Sequence, residues 1–469
     1  MERNIQHVLK MVDGIWCGRA DDLGRKCSGV VTDSRQVEPG HLFVPLQGER
    51  FDGCQFVPEA LAKGAVACLF PKDRPVPAEW KDIDGLPLIL VDDPLAALQR
   101  MAAVHRREWG GRVVAITGSN GKTTTKDLTA AVLAQKYDVH KTKGNLNNHI
   151  GLPLTLLSIP PKAEVAVVEM GMNHPGEIGL LSRLAQPDVA IITNIGDAHL
   201  EHLGSREAIA AAKLEIVQGL NPAGALLVNG DEPLLRNVPF AGQVLRFGCR
   251  PDNDLHLLQD ERVNLRQTRF TTNRTARALT VPLIGRHMLQ NALAAVLCGL
   301  YFGLTEEEVD RGLTAAQLSG MRSEWQEGPN GMQILMDAYN ASPTSMRAAL
   351  QLLADLEGFR CKLALLGDML ELGPEEERLH REMARHLSAE WLDALFTYGG
   401  RARWIAEEAR RLGFPAERIV SSDNVGEVVR ALRPWAKKGT LLLVKGSRGM
   451  RLEAIIEALR GDGSWTFDH

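Results

Sequence analysis

Gly118-Ser119-Asn120-Gly121-Lys122-Thr123-Thr124 follows the apolar run RVVAIT and precedes KTTTKDLTAAVLAQ, whose apolar residues recur at helical spacing. Backbone N–H groups of such a loop, with a helix N-terminus behind them, suit phosphate oxygens. Lys122 would reach the β- and γ-phosphates and the Thr123 hydroxyl would ligate Mg²⁺. The spacing departs from the common P-loop: the first glycine lies three residues before Gly121 rather than five, and Ile116 stands where the earlier glycine would be. Nucleotide binding is the expected role, against a plain glycine turn followed by a solvated lysine.

Further acids and bases fall at the ends of apolar runs. EVAVVE ends in Glu169, a carboxylate where Mg²⁺ held against nucleotide phosphates would need one. DVAIITNIG leads to His199 and His202, which can share a helix face, but two imidazoles without a third ligand make a poor zinc site. Lys213, in the alanine-rich stretch EAIAAAKLEI, reads on its own as a solvated lysine. The guanine-specific Asn-Lys-x-Asp is absent, which removes the main support for a GTPase switch.

The elements that must hold these residues are strands alternating with helices. A chain of 469 residues predicts about three domains. Residues 1–92 carry short strands and turns (VVTDSR, HLFVPL, GAVACLF, LPLILV) and read as a small mixed α/β unit. At Asp92-Asp93-Pro94 the texture changes to the helical run LAALQRMAAVHRREW, so a boundary is set near residue 93. Residues 93–313 alternate strand and helix, the pattern of a parallel sheet wrapped by helices. Residues 314–469 repeat it with MQILMDAY, KLALLGDML, LDALFTYG and TLLLVKGS, a doubly wound, Rossmann-like unit.

Composition narrows the class. Hydrophobic residues at 45% and charged residues at 24% exclude collagen-like and disordered chains. Lys+Arg 54 against Asp+Glu 58 is too balanced for a nucleic-acid footprint. The charged start MERNIQHVLKMVDG does not fit a signal peptide, and the uncharged run 292–304 is shorter than the roughly 20 residues that span a bilayer, so it is expected as a buried helix. The seven cysteines are scattered, with no Cys-x-x-Cys, which fits a reducing cytoplasm.

Together, Thr117 to Thr125, the run Gly144-Asn145-Leu146-Asn147-Asn148-His149, Glu169-Met170-Gly171, His199, Lys213, Gly285-Arg286-His287 with Asn291, and Asp337-Ala338-Tyr339-Asn340-Ala341 resemble the Mur ligases of bacterial cell-wall synthesis. The resemblance runs over nearly the whole chain. It implies three domains: a UDP-sugar-binding N-terminal domain, a central P-loop ATPase-like domain and a C-terminal Rossmann-like ligase domain. It also implies an ATP-dependent amide ligase that adds D-alanyl-D-alanine to UDP-N-acetylmuramoyl-tripeptide through an acyl phosphate. By resemblance, Gly118, Ser119, Asn120, Gly121, Lys122, Thr123, Thr124, Asn291, Arg322, Asp337 and Asn340 bind ATP. Lys122, Glu169, His199 and Lys213 are catalytic; Thr123, Glu169, His199 and a carbamylated Lys213 hold two Mg²⁺. Ser34, Arg35, Asp52, Asn145, Asn147 and Asn148 contact the UDP-tripeptide. A monomer in the cytoplasm without nucleic-acid or membrane partners is implied as well.

The pattern is broken at four places: Met288 stands where Asn is frequent, Ser342 replaces Asn, Met321 replaces Gly before Arg322, and Cys54 replaces His. The nearest rival is the preceding ligase, which adds the third amino acid, but its Asp-Asn-Pro-Arg motif is absent. A folate-type polyglutamate ligase would lack this first domain. A P-loop small-molecule kinase or a non-catalytic nucleotide-binding module would show no amine-dependent turnover.

Overall fold

The computed structural model describes residues 3–48, 51–83, 85–197 and 200–461. Among the described residues three large sheets carry the fold. The first has five strands in the order Ile15–Trp16, Leu88–Val91, Ala67–Pro71, His41–Phe43, Gly29–Val31, parallel except for the first pair. The helix Pro94–Trp109 follows. Asp93 accepts from Leu95 N, proline occupies the first turn, and Gly110 ends the helix at φ 72°, so start and stop are written in cap chemistry.

The nine-stranded second sheet runs Val139–Lys141, Val165–Glu169, Arg112–Thr117, Val189–Ile192, Ala225–Asn229, Gln243–Gly248, Leu255–Asn264, then the antiparallel strands Gln267–Thr272 and Leu279–Val281. The expectation of a parallel sheet wrapped by helices therefore fails at this edge. Seven consecutive residues of Leu255–Asn264 are exposed, so beyond Leu257 the strand has no buried apolar face to betray it in sequence. The central strands are apolar on both faces because both are covered. Val113, Ala115, Ala166 and Val168 point to one core, and Val114, Ile116, Val165 and Val167 to the other, the two-residue alternation of a pleat. The uncharged run expected as a buried helix lies largely in Arg286–Tyr301, which packs in the second of these cores. No described helix is long and apolar enough to cross a membrane.

The first of those cores does not stop at residue 93. Ile5, Val8, Leu69 and Ile89 belong to the same cluster as Leu98, Val113, Ile178 and Val228. The first sheet and one face of the second thus share a continuous apolar interior, which opposes their relative movement. The third sheet has its own two clusters. Its order is Glu324–Glu327, Gln333–Asp337, Thr440–Lys445, Cys361–Gly367, Ala394–Tyr398, Ile419–Ser422, parallel apart from the first strand.

The link between the second and third sheets is fastened by one buried acid. Asp127, on the helix Lys122–Leu133, lies 2.7 Å from Lys141 Nζ and 3.4 Å from the buried Lys126 Nζ, and accepts from Ser319 N and Oγ at 2.9 and 2.7 Å. Burial raises its carboxyl, but Lys141, Lys126 and Ser319 outweigh it and hold it below the ordinary range. Asp127→Ala would take the counter-charge from the buried Lys126 and free the linker. It should lower unfolding free energy by about 3–5 kcal/mol, measured by urea denaturation; a loss below ~1 kcal/mol would show that the linker is not fastened here.

Candidate active site

The phosphate-loop candidate turns on two glycines with φ 141° at Gly118 and 79° at Gly121. A Cβ at 118 would strike Thr193 Oγ1 and one at 121 would strike Asn291 Oδ1, so both positions need glycine for space as well as for φ. Asn194 fixes the loop, accepting from Asn120 N at 3.0 Å and donating to Asn120 O at 3.1 Å. Asn291 stands behind Gly121 and accepts from Thr125 Oγ1 at 3.2 Å. The helix Lys122–Leu133 begins without a side-chain cap on residues that line the cleft, so its first N–H groups and its dipole favour an anion there. Lys122 Nζ donates to Gly118 O at 2.8 Å and Ser119 O at 3.1 Å. Burial pushes its ammonium below the ordinary range, with Glu169 opposing and Arg322 assisting.

Two of the groups expected at a metal, one at a helix start and one at a strand end, are brought together. Thr123 Oγ1 donates to Glu169 Oε2 at 2.7 Å, and Asn147 Nδ2 donates to Glu169 Oε1 at 2.8 Å. Among the described residues no three His, Cys, Asp or Glu side chains form a ready-made cage. A cation beside Thr123 and Glu169 would take its other ligands from water and phosphate, the habit of Mg²⁺. Asn145 and Asn148 line the same wall, and Asn148 Oδ1 also accepts from Gly151 N at 2.8 Å. His199 lies outside the described residues.

Lys213 is not the solvated lysine that its neighbours in sequence suggest. It sits on the helix Arg206–Leu214, fully buried, and its Nζ has no hydrogen-bond partner among the described residues. Burial drives the amine well below its ordinary range, Lys122 adds to the effect, and Glu177, Glu169 and Glu215 oppose it. The alanine-rich helix concealed this, because the depth of one position depends on what packs over it.

The opposite wall belongs to the third sheet. Asp337, ending Gln333–Asp337, lies 2.6 Å from the Nζ of the buried Lys445, which ends the adjacent strand Thr440–Lys445. Lys445 also donates to Asn340 O at 3.2 Å. Arg322 stacks over Tyr339, 3.9 Å from the ring centre. It is flanked by Met321 at φ 61° and Ser323 at φ 51°, so the glycine that the resemblance leads one to expect at 321 answers a left-handed backbone. His287 is pushed down to about 4 by burial, Asp337 opposing, and stays neutral near pH 7. The two walls meet through polar contacts: Asn120 Nδ2 to Ser342 Oγ at 3.3 Å, and Thr344 Oγ1 to Asp197 Oδ2 at 2.7 Å.

The cleft so formed holds about 790 Å³ and gathers Ser119 to Thr124, Asn145, Asn147, Asn148, Glu169, Asn291, Arg322, Asp337 and Asn340. Ser34, Arg35 and Asp52 are not in its walls. Ser34 Oγ donates to Glu59 at 3.2 Å, Arg35 pairs with Asp33 at 2.9 Å, and Asp52 pairs with Arg74. Sequence reasoning did not single out Lys445 as a site residue, although a lysine closing TLLLV at a parallel strand's carboxyl end was a legible signal. Thr344, Arg347 and Glu371 also line the cleft, and the docking of the third sheet, which no local pattern encodes, puts them there.

A glycine-turned phosphate loop at the switch point of one parallel sheet, faced by the strand ends of another, defines an α/β enzyme of the nucleotide-dependent class. Family models match in three stretches: the Mur ligase family catalytic domain over 26–106, the Mur ligase middle domain over 116–299, and the Mur ligase glutamate ligase domain over 321–448. The UDP-N-acetylmuramoyl-tripeptide–D-alanyl-D-alanine ligase of Bacillus subtilis is 46% identical, with 98% of each chain covered. That of Escherichia coli is 37% identical over 98% of this chain and 100% of its own. MurF from Acinetobacter baumannii superposes with a TM-score of 0.87 at 31% identity, covering 98% of this chain and 99% of that one. MurF from Thermotoga maritima in complex with ADP gives 0.81 at 31% identity, covering 93% and 98%. The chain belongs to the Mur ligase family, on the branch of these MurF enzymes.

Proposed function

We propose that this cleft joins D-alanyl-D-alanine to UDP-N-acetylmuramoyl-tripeptide, converting ATP to ADP and phosphate. The observation that carries the reading is the meeting of the Lys122 loop with Asp337, Lys445 and Arg322 across one cleft, in a chain 46% identical to such a ligase along 98% of its length. A carboxylate oxygen of the tripeptide attacks the γ-phosphorus and ADP leaves. The amine of D-alanyl-D-alanine then attacks the acyl carbon, and phosphate leaves from the tetrahedral intermediate. Negative charge develops on phosphoryl and then acyl oxygens, and catalysis rests on positioned positive charge. Lys122 and the loop N–H groups supply it on one wall, while Arg322 and Asp337 hold the nucleotide from the other. Thr123 and Glu169 hold Mg²⁺, whose charge when bound offsets that of the phosphates.

Lys213 would carry the carbamate, and that anion would ligate a second Mg²⁺. A neutral amine is the form that adds CO₂, releasing a proton to leave a carbamate, and burial shifts this amine towards that form. Residues 1–92 bind the UDP-sugar, 93–313 ATP, and 314–469 complete the ligase site. One chain furnishes all these groups, so a monomer suffices. The seven unpaired cysteines suit a reducing cytoplasm.

Phosphate release should require both UDP-tripeptide and dipeptide, and the product mass should be that of the joined pentapeptide; a stable phosphoester accumulating without dipeptide would mean a kinase. Arg35, exposed beside Asp33, is assigned to the UDP-sugar end. Arg35→Ala should raise KM for UDP-tripeptide roughly tenfold, the loss of one charged contact, with KM for ATP unchanged. Equal rises for both substrates would remove Arg35 from that role.

A further inference from the structure

The strand Val189–Ile192 runs out into a short segment that faces two ways. Thr193 Oγ1 donates to Asn120 O at 2.6 Å, and Asn194 both accepts from Asn120 N and donates to its carbonyl, so the first residues past the strand grip the phosphate loop. Gly196 lies against that loop as well: a Cβ there would stand 3.1 Å from Asn120 Nδ2 and 3.3 Å from Ser119 Cβ. Asp197 turns the other way, towards the unit built on the third sheet. Its Oδ2 accepts from Thr344 Oγ1 at 2.7 Å and lies 3.7 Å from Arg347 Nη2. The segment 193–197 therefore touches both walls of the cleft.

The partners of Asp197 are placed by local chemistry. Thr344 and Arg347 stand at i and i+3 on the helix Pro343–Asp355 and so share a face. Arg347 Nη2 donates to Thr344 Oγ1 and its Nη1 to Glu382 Oε1, both at 3.4 Å, which holds the guanidinium over the helix start. Ser342 caps the same helix, accepting from Ser345 N, and its hydroxyl also accepts from Asn120 Nδ2 at 3.3 Å. The other face of the helix is buried: Met346, Leu350 and Leu353 share a core with Leu335 and Leu443. Leu335 lies in Gln333–Asp337 and Leu443 in Thr440–Lys445, so the helix start is joined rigidly to the strands that end in Asp337 and Lys445.

A nucleotide held by Lys122 on one wall and Asp337 on the other binds only when the walls stand at the right separation. We propose that Asp197 is a positioning residue that sets this separation, latching the wall of Arg322, Asp337 and Lys445 to the phosphate loop through Thr344 and Arg347. The assignment rests on the nucleotide role proposed above. A carboxylate that accepts from a hydroxyl and faces a guanidinium makes a charge-assisted contact, stronger than a neutral hydrogen bond. Only 17% of the Asp197 side chain is exposed, so little water competes for it. Without the latch a smaller fraction of molecules holds the docked arrangement, and the apparent affinity for a ligand of that arrangement falls with the fraction.

Asp197→Ala should bind ADP, with Mg²⁺ present, roughly tenfold more weakly in calorimetry, the loss of one charged contact. Its KM for ATP should rise in parallel while turnover at saturating ATP is largely kept, because a ligand that binds only the docked form restores it. KM for UDP-tripeptide should stay at the wild-type value, since the unit of the first sheet shares its interior with the second. Asp197→Asn keeps an oxygen for Thr344 but loses the charge facing Arg347, and should fall between. Thr344→Val should copy the weakening, and Asp197→Ala/Thr344→Val should be no weaker than Asp197→Ala alone, because both act through one contact. Small-angle scattering of ligand-free Asp197→Ala should show a larger radius of gyration than the wild type, and saturating ADP should abolish the difference. Wild-type ADP affinity in Asp197→Ala, an unchanged ligand-free radius, or losses that multiply in the double variant overturn the proposal; multiplied losses would mean that the carboxylate meets the nucleotide itself. ADP binding is measured without the other substrates, so a wild type lacking dipeptide-dependent turnover would overturn the ligase function and leave the latch to be judged by ADP alone.

Discussion

Lys122→Ala will fold normally and will scarcely ligate. The substitution removes a cation that lies over the loop carbonyls of Gly118 and Ser119 and takes no apolar surface from either core. Loss of a single positioned donor at a developing negative charge lowers turnover by on the order of 10²–10³-fold. Lys122 is the loop's side-chain cation, so the upper end of that range is expected. Unfolding by urea should match the wild type, and isotope scrambling within ATP should vanish together with ligation. A folded variant that still scrambles ATP at the wild-type rate would refute the assignment of this loop to the γ-phosphate.

Lys213→Ala should lose ~10²-fold or more in turnover, with partial recovery in acetate, whose carboxylate can stand in for a carbamate. Here the effect on stability has the opposite sign. An unmodified Lys213 is a buried amine held well below its unfolded value of 10.5, so the unfolded chain binds more protons across that interval. Stability of the unmodified enzyme therefore rises with pH there, and removal of the amine should stabilise the fold and flatten the dependence. Active enzyme equilibrated with ¹³C-bicarbonate should show a carbamate carbon that Lys213→Ala lacks. Full activity with no such signal would sink the modification.

The phosphate loop was legible because its residues are neighbours: an apolar strand, two glycines, a lysine and a helix occur within one short stretch. The strand at Val165–Glu169 and the helix start at Asp93 were legible for the same reason, since alternation and caps are local signals. Lys213 was not, because an amine in an alanine-rich helix looks alike whether it faces water or a core. Residues 255–281 hid their edge strands because their side chains are mostly polar. Ser342, a departure from the expected Asn, still caps its helix, accepting from Ser345 N at 3.3 Å, so that change alters little. Glu371 reaches the cleft behind Met369 and Leu370, whose N–H groups are held by His380 and by Ser447 just past another strand, a relation that exists only once the third sheet is closed.

The interior shared by the first and second sheets bears on how the polypeptide is made. Leu69 and Ile89 emerge from the ribosome early, but their partners Ile178 and Val228 are translated far later. At about 5–20 residues per second, the apolar face of the first sheet waits roughly 4–30 seconds for its cover. For that interval the nascent chain presents a sticky surface, and a holdase or a crowded polysome would meet it before the native partner does. The last sheet, with two clusters of its own, is translated after the other two and closes on itself. Newborn molecules should thus be at greatest risk of aggregation while the second sheet is being translated, not the third.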